Sequence, residues 1–315
     1  MEAIRFVPSL TDEWNKCVDS STNGTFLFKR PYMDYHKDRF YDCSLLFVKR
    51  GKPIGLLPAN ICGDEVYSHQ GLTYGGLVYG PKVYVEDVGE MLRLLILYYR
   101  NELGVKVIHY KPVPDDYLLQ PASEPLFCLS QMGAQLERRQ LASVVNLRHR
   151  IPYSELRRRH LAKAKRSQLH LAWGEIEADW TDFWQVLTDI LWERHKSRPV
   201  HSLSEIMLLH SRFPSEIRLL AIRQGDVLLG GTVLYITPRV IHTQYIAASD
   251  RGCELGALEM LFDSLMHSAL SQEHDYLDFG TSHHSDGSLN EGLCFQKQGL
   301  GGRGICYDQY KLSLT

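Results

Sequence analysis

The chain has 315 residues, 44% of them hydrophobic, and a formal net charge of -2. That length supports two domains with a core each, and the near-neutral balance excludes a globally basic nucleic-acid binder, so any anion-binding surface must be local. Met1 to Phe6 lacks a basic start followed by a long apolar run, and the apolar stretch around Met91 to Tyr99 is short and broken by Arg93, so neither a signal peptide nor a membrane span is expected.

In chain order, residues 9 to 20 read as a first helix with Thr11 as N-cap and Trp14, Cys17 and Val18 at helical spacing. Phe26 to Phe40 is aromatic and basic, helical after Pro31. Leu45 to Val48 and Ile54 to Ile61 alternate around Gly51-Lys52-Pro53 as a hairpin, and Val66 to Tyr79 holds further strand. Glu86 to Leu103 is an amphipathic helix with Met91, Leu94, Leu95 and Tyr98 on one face, Val105 to Tyr110 is a strand, and 112 to 125 is loop. Leu141 to Leu147 is a strand, and Ser154 then caps a basic helix running to about Ser167. A strand at 169–173, a helix at 180–193, a loop at 197–204 and a short helix at 203–210 follow. Strands come next near 217–223, 227–236 and 240–247, then a helix near 255–271 and a strand near 275–279. A tail rich in Gly, His and Asn leads to a last strand, Cys306 to Leu314.

The two halves repeat. Leu45-Leu46-Phe47-Val48-Lys49-Arg50-Gly51 recurs as Leu219-Leu220-Ala221-Ile222-Arg223-Gln224-Gly225, and Val66-Tyr67-Ser68-His69-Gln70 as Val240-Ile241-His242-Thr243-Gln244 at the same offset. Glu90-Met91-Leu92 recurs as Glu259-Met260-Leu261, each a constant distance ahead of a strand, Val107 to Tyr110 or Tyr276 to Phe279. Three matches in one order indicate a duplicated strand–turn–strand–strand–helix–strand module. The fold class is α+β, a mixed α/β sheet built twice. The domains expected are 1–150 and 151–315, and the last strand can return to either. The seven cysteines form no C-x-x-C pair and fit reduced, mostly buried thiols in a cytoplasmic protein.

The module resembles the GNAT acyltransferase fold, and two such domains in tandem resemble the Fem-type (FemABX) peptidyltransferases. The basic helix Arg157 to Lys165, the strand Tyr276-Leu277-Asp278-Phe279-Gly280 and the segment Leu289 to Gly302 around Lys297 are similar to that family's motifs, in the same order. The resemblance implies two tandem GNAT-like acyl-CoA N-acyltransferase-fold domains. It also implies an N-acyltransferase that moves an acyl or aminoacyl group to an amine of a cell-envelope precursor, such as a nucleotide-linked amino sugar or peptidoglycan peptide. Its donor would be aminoacyl-tRNA or acyl-CoA, with no tightly bound cofactor. Two alternatives stay open: an acetyl-CoA-dependent N-acetyltransferase, and a non-catalytic binding protein built from degenerate GNAT domains.

The catalytic candidates are Lys297, Asp278 and His283. The resemblance puts most of the weight on Lys297, whose ammonium would stabilise negative charge near the donor ester. Asp278 ends a strand, and His283 and His284 follow it in a glycine-rich loop with Ser285 and Asp286, where a histidine could take the amine proton. Adjacent residues on an extended chain face opposite ways, so no metal is expected there. Eight basic residues against Glu155 crowd 148–166, with Arg159, Lys163 and Arg166 at i, i+4 and i+7, a face that can hold the phosphates of a nucleotide-linked precursor or tRNA. The resemblance adds Lys37 and Asn290 to His284 and the basic face as substrate-binding positions. It also makes the turn Arg251-Gly252-Cys253-Glu254-Leu255-Gly256 the counterpart of a pyrophosphate loop, with Arg251, Gly252 and Gly256 as its cofactor-binding residues, although its spacing departs from that motif and Glu254 would repel a phosphate.

Overall fold

The computed structural model describes residues 1–284 and 286–314; Ser285 lies outside them. The chain divides into two compact units, Met1–Gln140 with Cys306–Thr315, and Leu141–Ile305. Both divisions fall inside long strands, Gln135–Asn146 and Arg303–Ser313, where the sequence offers no punctuation to mark a boundary.

The first unit runs β1 (Glu2–Arg5), α1 (Thr11–Asp19), α2 (Arg30–Met33), β2 (Tyr41–Asp42), β3 (Leu45–Lys49), β4 (Lys52–Leu57), β5 (Asn60–Cys62), β6 (Glu65–Tyr67), β7 (Val78–Tyr79), α3 (Val85–Leu103), β8 (Val107–Tyr110), α4 (Glu124–Gln131) and the start of β9 (Gln135–Asn146). One sheet has the order β1-β3-β4-β7. The β3–β4 turn is Arg50-Gly51, both at positive φ (53° and 74°), the twist a two-residue hairpin needs. A second group of strands runs from residues 310–313 through β8 and β6 to β5 and β2, and only the β6–β8 pair is parallel. Helix α3 buries Val88, Met91, Leu92, Leu95 and Tyr99; Leu94 and Tyr98 sit at the margin of that stripe. Thr11 is the first helical residue rather than the cap, its hydroxyl donating to the Pro8 carbonyl. Most of 68–77 is loop, and the expected loop at 112–125 runs into α4.

The second unit contains the end of β9, then α5 (Glu155–Ala164), β10 (Leu169–Trp173), α6 (Glu177–His195), α7 (Leu203–Arg212), β11 (Ile217–Gln224), β12 (Val227–Ile236), β13 (Val240–Ala248), α8 (Asp250–Leu255), α9 (Ala257–Met266), α10 (Ala269–Glu273), β14 (Tyr276–Thr281), α11 (Glu291–Gly299) and the start of β15 (Arg303–Ser313). Its sheet has the order β10-β11-β12-β13-β14-β9, antiparallel except at β13–β14. Leu220, Ile222, Leu234, Ile241 and Leu277 pack against Leu261, Phe262 and Leu265 of α9 to form the core. Ser154 caps α5 through its side chain, and Ser202 with Glu205 forms a capping box on α7, satisfying first-turn amides that water would otherwise have to serve. The helix expected over 255–271 is three helices. Gly256 breaks it at φ 75°, and a Cβ there would lie 2.5 Å from the His160 carbonyl oxygen.

Among the described residues each unit thus has one parallel strand pair, β6 and β8 connected through β7 and α3, and β13 and β14 connected through α8, α9 and α10. The registers correct the residue match. Tyr67 pairs with His109 in one unit and His242 with Asp278 in the other. Tyr67 thus corresponds to His242, one residue away from the sequence match of Val66 with Val240. A one-residue slip swaps the two faces of a strand, so the sequence match alone assigned these side chains to the wrong sides.

Candidate functional site

The parallel ladder of the second unit stops at His242↔Asp278. Beyond it β13 continues to Ala248, while β14 pairs Thr281 with Ala142 of β9 after a register shift. The two strands part, leaving a fork. On the other side of β13, Gln244 is extra between Val233↔Tyr245 and Leu234↔Thr243, a bulge that bends the strand away.

Asp278 is fully buried at this fork. Leu277 and Phe279 point into the core, so by alternation Asp278 faces the other side of the sheet. One carboxylate oxygen lies 2.7 Å from His242 Nδ1, and the other accepts from the Gly280 amide at 2.7 Å. The Thr243 hydroxyl donates to the Asp278 carbonyl at 3.2 Å. An ionised carboxylate only accepts, so Nδ1 of His242 carries the hydrogen and Nε2 presents a lone pair. A buried carboxylate that orients an imidazole in this way is the arrangement of a general base.

Lys297 completes the cluster. It lies in the last turn of α11, 5% exposed. Its ammonium donates to the carbonyls of Gly280 at 3.0 Å and Thr281 at 2.8 Å. Burial pushes its pKa down to about 8, opposed by the negative charge of Asp278 and by Cys294. Gly280 makes the geometry available: at φ 69° it turns its amide to Asp278 and its carbonyl to Lys297, and a Cβ there would crowd the His242 ring at 3.3 Å. The Ser282 hydroxyl is buried with no hydrogen-bond partner among the described residues, a polar atom left for water or substrate.

The other sequence candidates are placed differently. Both nitrogens of His283 are taken: Nδ1 donates to the Gly287 carbonyl at 3.0 Å and Nε2 accepts from the Leu141 amide at 2.7 Å. In this form the ring has no lone pair left for a proton, and it ties the loop to β9. His284 is exposed, and its backbone bonds to Ser288 and Gly287. Asn290 spends its side-chain oxygen capping α11 through the Leu293 amide. Arg251 is exposed beside Glu254 at 3.4 Å. The Gly252 amide is taken by the Ser249 hydroxyl, and a Cβ on Gly252 would lie 2.4 Å from the Leu229 carbonyl oxygen. Gly256 serves the helix break. With Asp250 in the first turn and the Gly252, Cys253 and Gly256 amides all donating within the turn, the Arg251–Gly256 turn is not built as a diphosphate cradle.

Along α5 the basic residues split. Arg157 is paired with Glu259, and Lys165 with Asp263 at 3.1 Å. Arg159, Lys163 and Arg166 are exposed, with no ion pair among the described residues, but α5 ends at Ala164 and Arg166 lies past it. Lys37 is an exposed residue of the first unit, on a 3-10 turn over 34–39. Among the described residues no group of three or more His, Cys, Asp or Glu could hold a metal ion, and no helix is long and apolar enough to cross a membrane.

Sequence reasoning missed His242 and Ser282. The available signal was a histidine and an aspartate inside two otherwise apolar strands, Val240-Ile241-His242 and Tyr276-Leu277-Asp278-Phe279.

Residues 154–287 match the family model of the GNAT acetyltransferase domain. No curated protein matches the chain in sequence. Among solved structures, FemX superposes with a TM-score of 0.71 at 12% identity, over 99% of this chain and 97% of that one. L-PGS from Bacillus licheniformis gives 0.59 at 10% identity, over 96% and 91%. A tandem GNAT protein from the clavulanic acid biosynthesis pathway gives 0.54 at 12% identity, over 100% and 98%. The chain therefore has a two-domain, FemABX-like GNAT fold, as its resemblance to that family implied.

Proposed function

We propose that this tandem GNAT-fold chain is an N-acyltransferase whose reaction centre is the fork of its second unit. The observation that carries the reading is the buried Asp278 with His242 and Lys297 where two parallel strands part. The amine nitrogen of the acceptor attacks the carbonyl carbon of the acyl donor, forming the C–N bond. His242 Nε2 takes the proton that the nitrogen sheds, and Asp278 stabilises the resulting imidazolium. The C–S or C–O bond to the donor then breaks, and the leaving group takes the proton. Two of the three Lys297 N–H groups are used on Gly280 and Thr281, which leaves one for the oxygen where negative charge develops.

The donor is an aminoacyl-tRNA or an acyl-CoA. The occupied amides and acidic residues of the α8 turn weigh against a CoA diphosphate at that place. The acceptor is the amine of a small-molecule or nucleotide-linked cell-envelope precursor, whose phosphates Arg159 and Lys163 can meet. The reaction would take place in the cytoplasm.

Calorimetric titration of the protein with acetyl-CoA, then with a hydrolysis-resistant aminoacyl-tRNA, tests the donor. Turnover with the donor that binds, measured for the native chain and for His242→Gln, tests the centre. Undiminished turnover in His242→Gln would remove the fork from the reaction.

A further inference from the structure

A cavity of about 670 Å³ lies in the second unit, walled by α6 and the segment that follows it. It is not part of the fork. Trp184, Asp189 and Trp192 line it from the helix, Arg198 and Val200 from the segment, and Leu203 from the first turn of α7. Trp184 is 7% exposed and packs edge-on to Tyr245 of β13 at 5.2 Å. The Tyr245 hydroxyl bonds to His201 Nδ1 at 2.6 Å, which fixes the far wall. The cavity therefore rests on the same strand as His242, three residues further along.

Its chemistry is mixed in a specific way. Two indoles, Val200 and Leu203 make an apolar body, and Trp192 and Val200 stand 53% and 75% exposed at its mouth, an apolar pair that a ligand would cover. Charges of both signs border it. The Asp189 carboxylate accepts from the Gln185 amide at 2.9 and 3.0 Å and keeps accepting capacity on both oxygens. The Arg198 guanidinium has no hydrogen bond or ion pair among the described residues, and the Lys196 ammonium lies 5.5 Å from the Trp192 ring. Glu205, the other acid of the lining, is engaged by Ser202 in the helix cap. An anion alone would meet Asp189 and a cation alone would meet Arg198. A ligand carrying both charges on an apolar body satisfies each.

We propose that this cavity binds a zwitterionic amino-acid or short-peptide unit, its ammonium at Asp189, its carboxylate at Arg198 and its side chains against Trp184 and Trp192. Arg holds carboxylates with two parallel N–H donors, and the volume admits more than one residue. The site stands without the transfer reaction, and its test uses no acyl donor.

The test is calorimetric titration of the full chain with leucyl-leucine, its N-acetyl derivative and its C-terminal amide. The dipeptide is expected to bind saturably, with acetylation and amidation each weakening it about tenfold. Asp189→Asn should abolish the difference between the free and acetylated forms, and Arg198→Gln that between acid and amide. Both residues are exposed, so each variant should keep the native thermal midpoint. Trp192→Ala should weaken all three ligands alike. Equal binding of the three ligands to the native chain would mean an apolar slot and overturn the proposal. Absence of saturation by leucyl-leucine up to ~10 mM would overturn it as well.

Discussion

The two units present the same fork with opposite outcomes. In the first, the ladder ends at Tyr67↔His109, and everything there is filled. Tyr67 stacks on His109 at 4.4 Å and 7°. His109 Nδ1 lies 2.7 Å from Glu137 and Nε2 3.1 Å from Glu65, which also accepts from the Tyr67 hydroxyl. Just beyond, the half-buried Lys111 donates to the Leu72 carbonyl, and desolvation of its ammonium lowers its pKa to about 8. In the second fork the imidazole stands on the other strand, meets one buried carboxylate and keeps a ring nitrogen in hand. A duplicated fold can thus carry one saturated copy, which serves stability, and one unsaturated copy, which can serve chemistry.

Crossing the two histidines breaks or sharpens this contrast most directly. His242→Gln should lower turnover about 10²- to 10³-fold with the fold intact, whereas His109→Gln should leave turnover within about twofold and lower stability by ~1–3 kcal/mol. Turnover and denaturant midpoints of both variants check this, and the reverse pattern would move the centre to the first unit. Asp278→Asn should follow His242→Gln, because an amide can donate to Nδ1 and favour the wrong tautomer. A loss of about 10²-fold in kcat, with thermal midpoint measured alongside, is expected.

The lysines sharpen the contrast by pH. Lys297 has a folded-state pKa near 8, below the unfolded value, so between the two values the unfolded chain binds more protons. Stability relative to Lys297→Met should therefore rise as pH climbs from about 8 to 10, and denaturant titrations across that window give the slope. Lys111→Met should show a slope of the same sign. Only Lys297→Met should also flatten the alkaline limb of the rate profile and cost about tenfold in turnover. The smallest effect lies on α5. Arg159→Glu with Lys163→Glu should weaken binding of a phosphate-bearing acceptor several-fold, more at low salt, without moving the thermal midpoint. An equal fall in stability would mean that these residues hold the helix, as Arg157 does through Glu259.

How far each feature could be read follows from the range of the interaction behind it. Ser154 capping α5 is a contact between residues three apart, and the β3–β4 hairpin is set by Arg50 and Gly51. Both are local and were legible, although the sequence placed the hairpin turn at Gly51-Lys52-Pro53, whereas the structure turns at Arg50-Gly51 and puts Lys52 and Pro53 in β4. The pair His242–Asp278 joins residues 36 apart and the His283–Leu141 bond residues 142 apart; nothing local to either histidine distinguishes a base from a staple. Helix α11 was hidden because its cap, Asn290, lies in a glycine-rich stretch that reads as loop. Arg166 was placed on a helical face because the basic run continues past Ala164, where the helix ends.

By itself the sequence determined the alternation of strands and helices and the duplication, because periodicity, turn residues and repeats are written in neighbouring positions; the segment that carries Lys297 stood out only through its resemblance to a family motif. The tertiary structure alone decided the register of the parallel pairs, hence which faces Tyr67, His109, His242 and Asp278 share, and which histidine keeps a nitrogen unpaired. Strand register depends on partners distant in the chain, and a slip of one residue reverses every side chain.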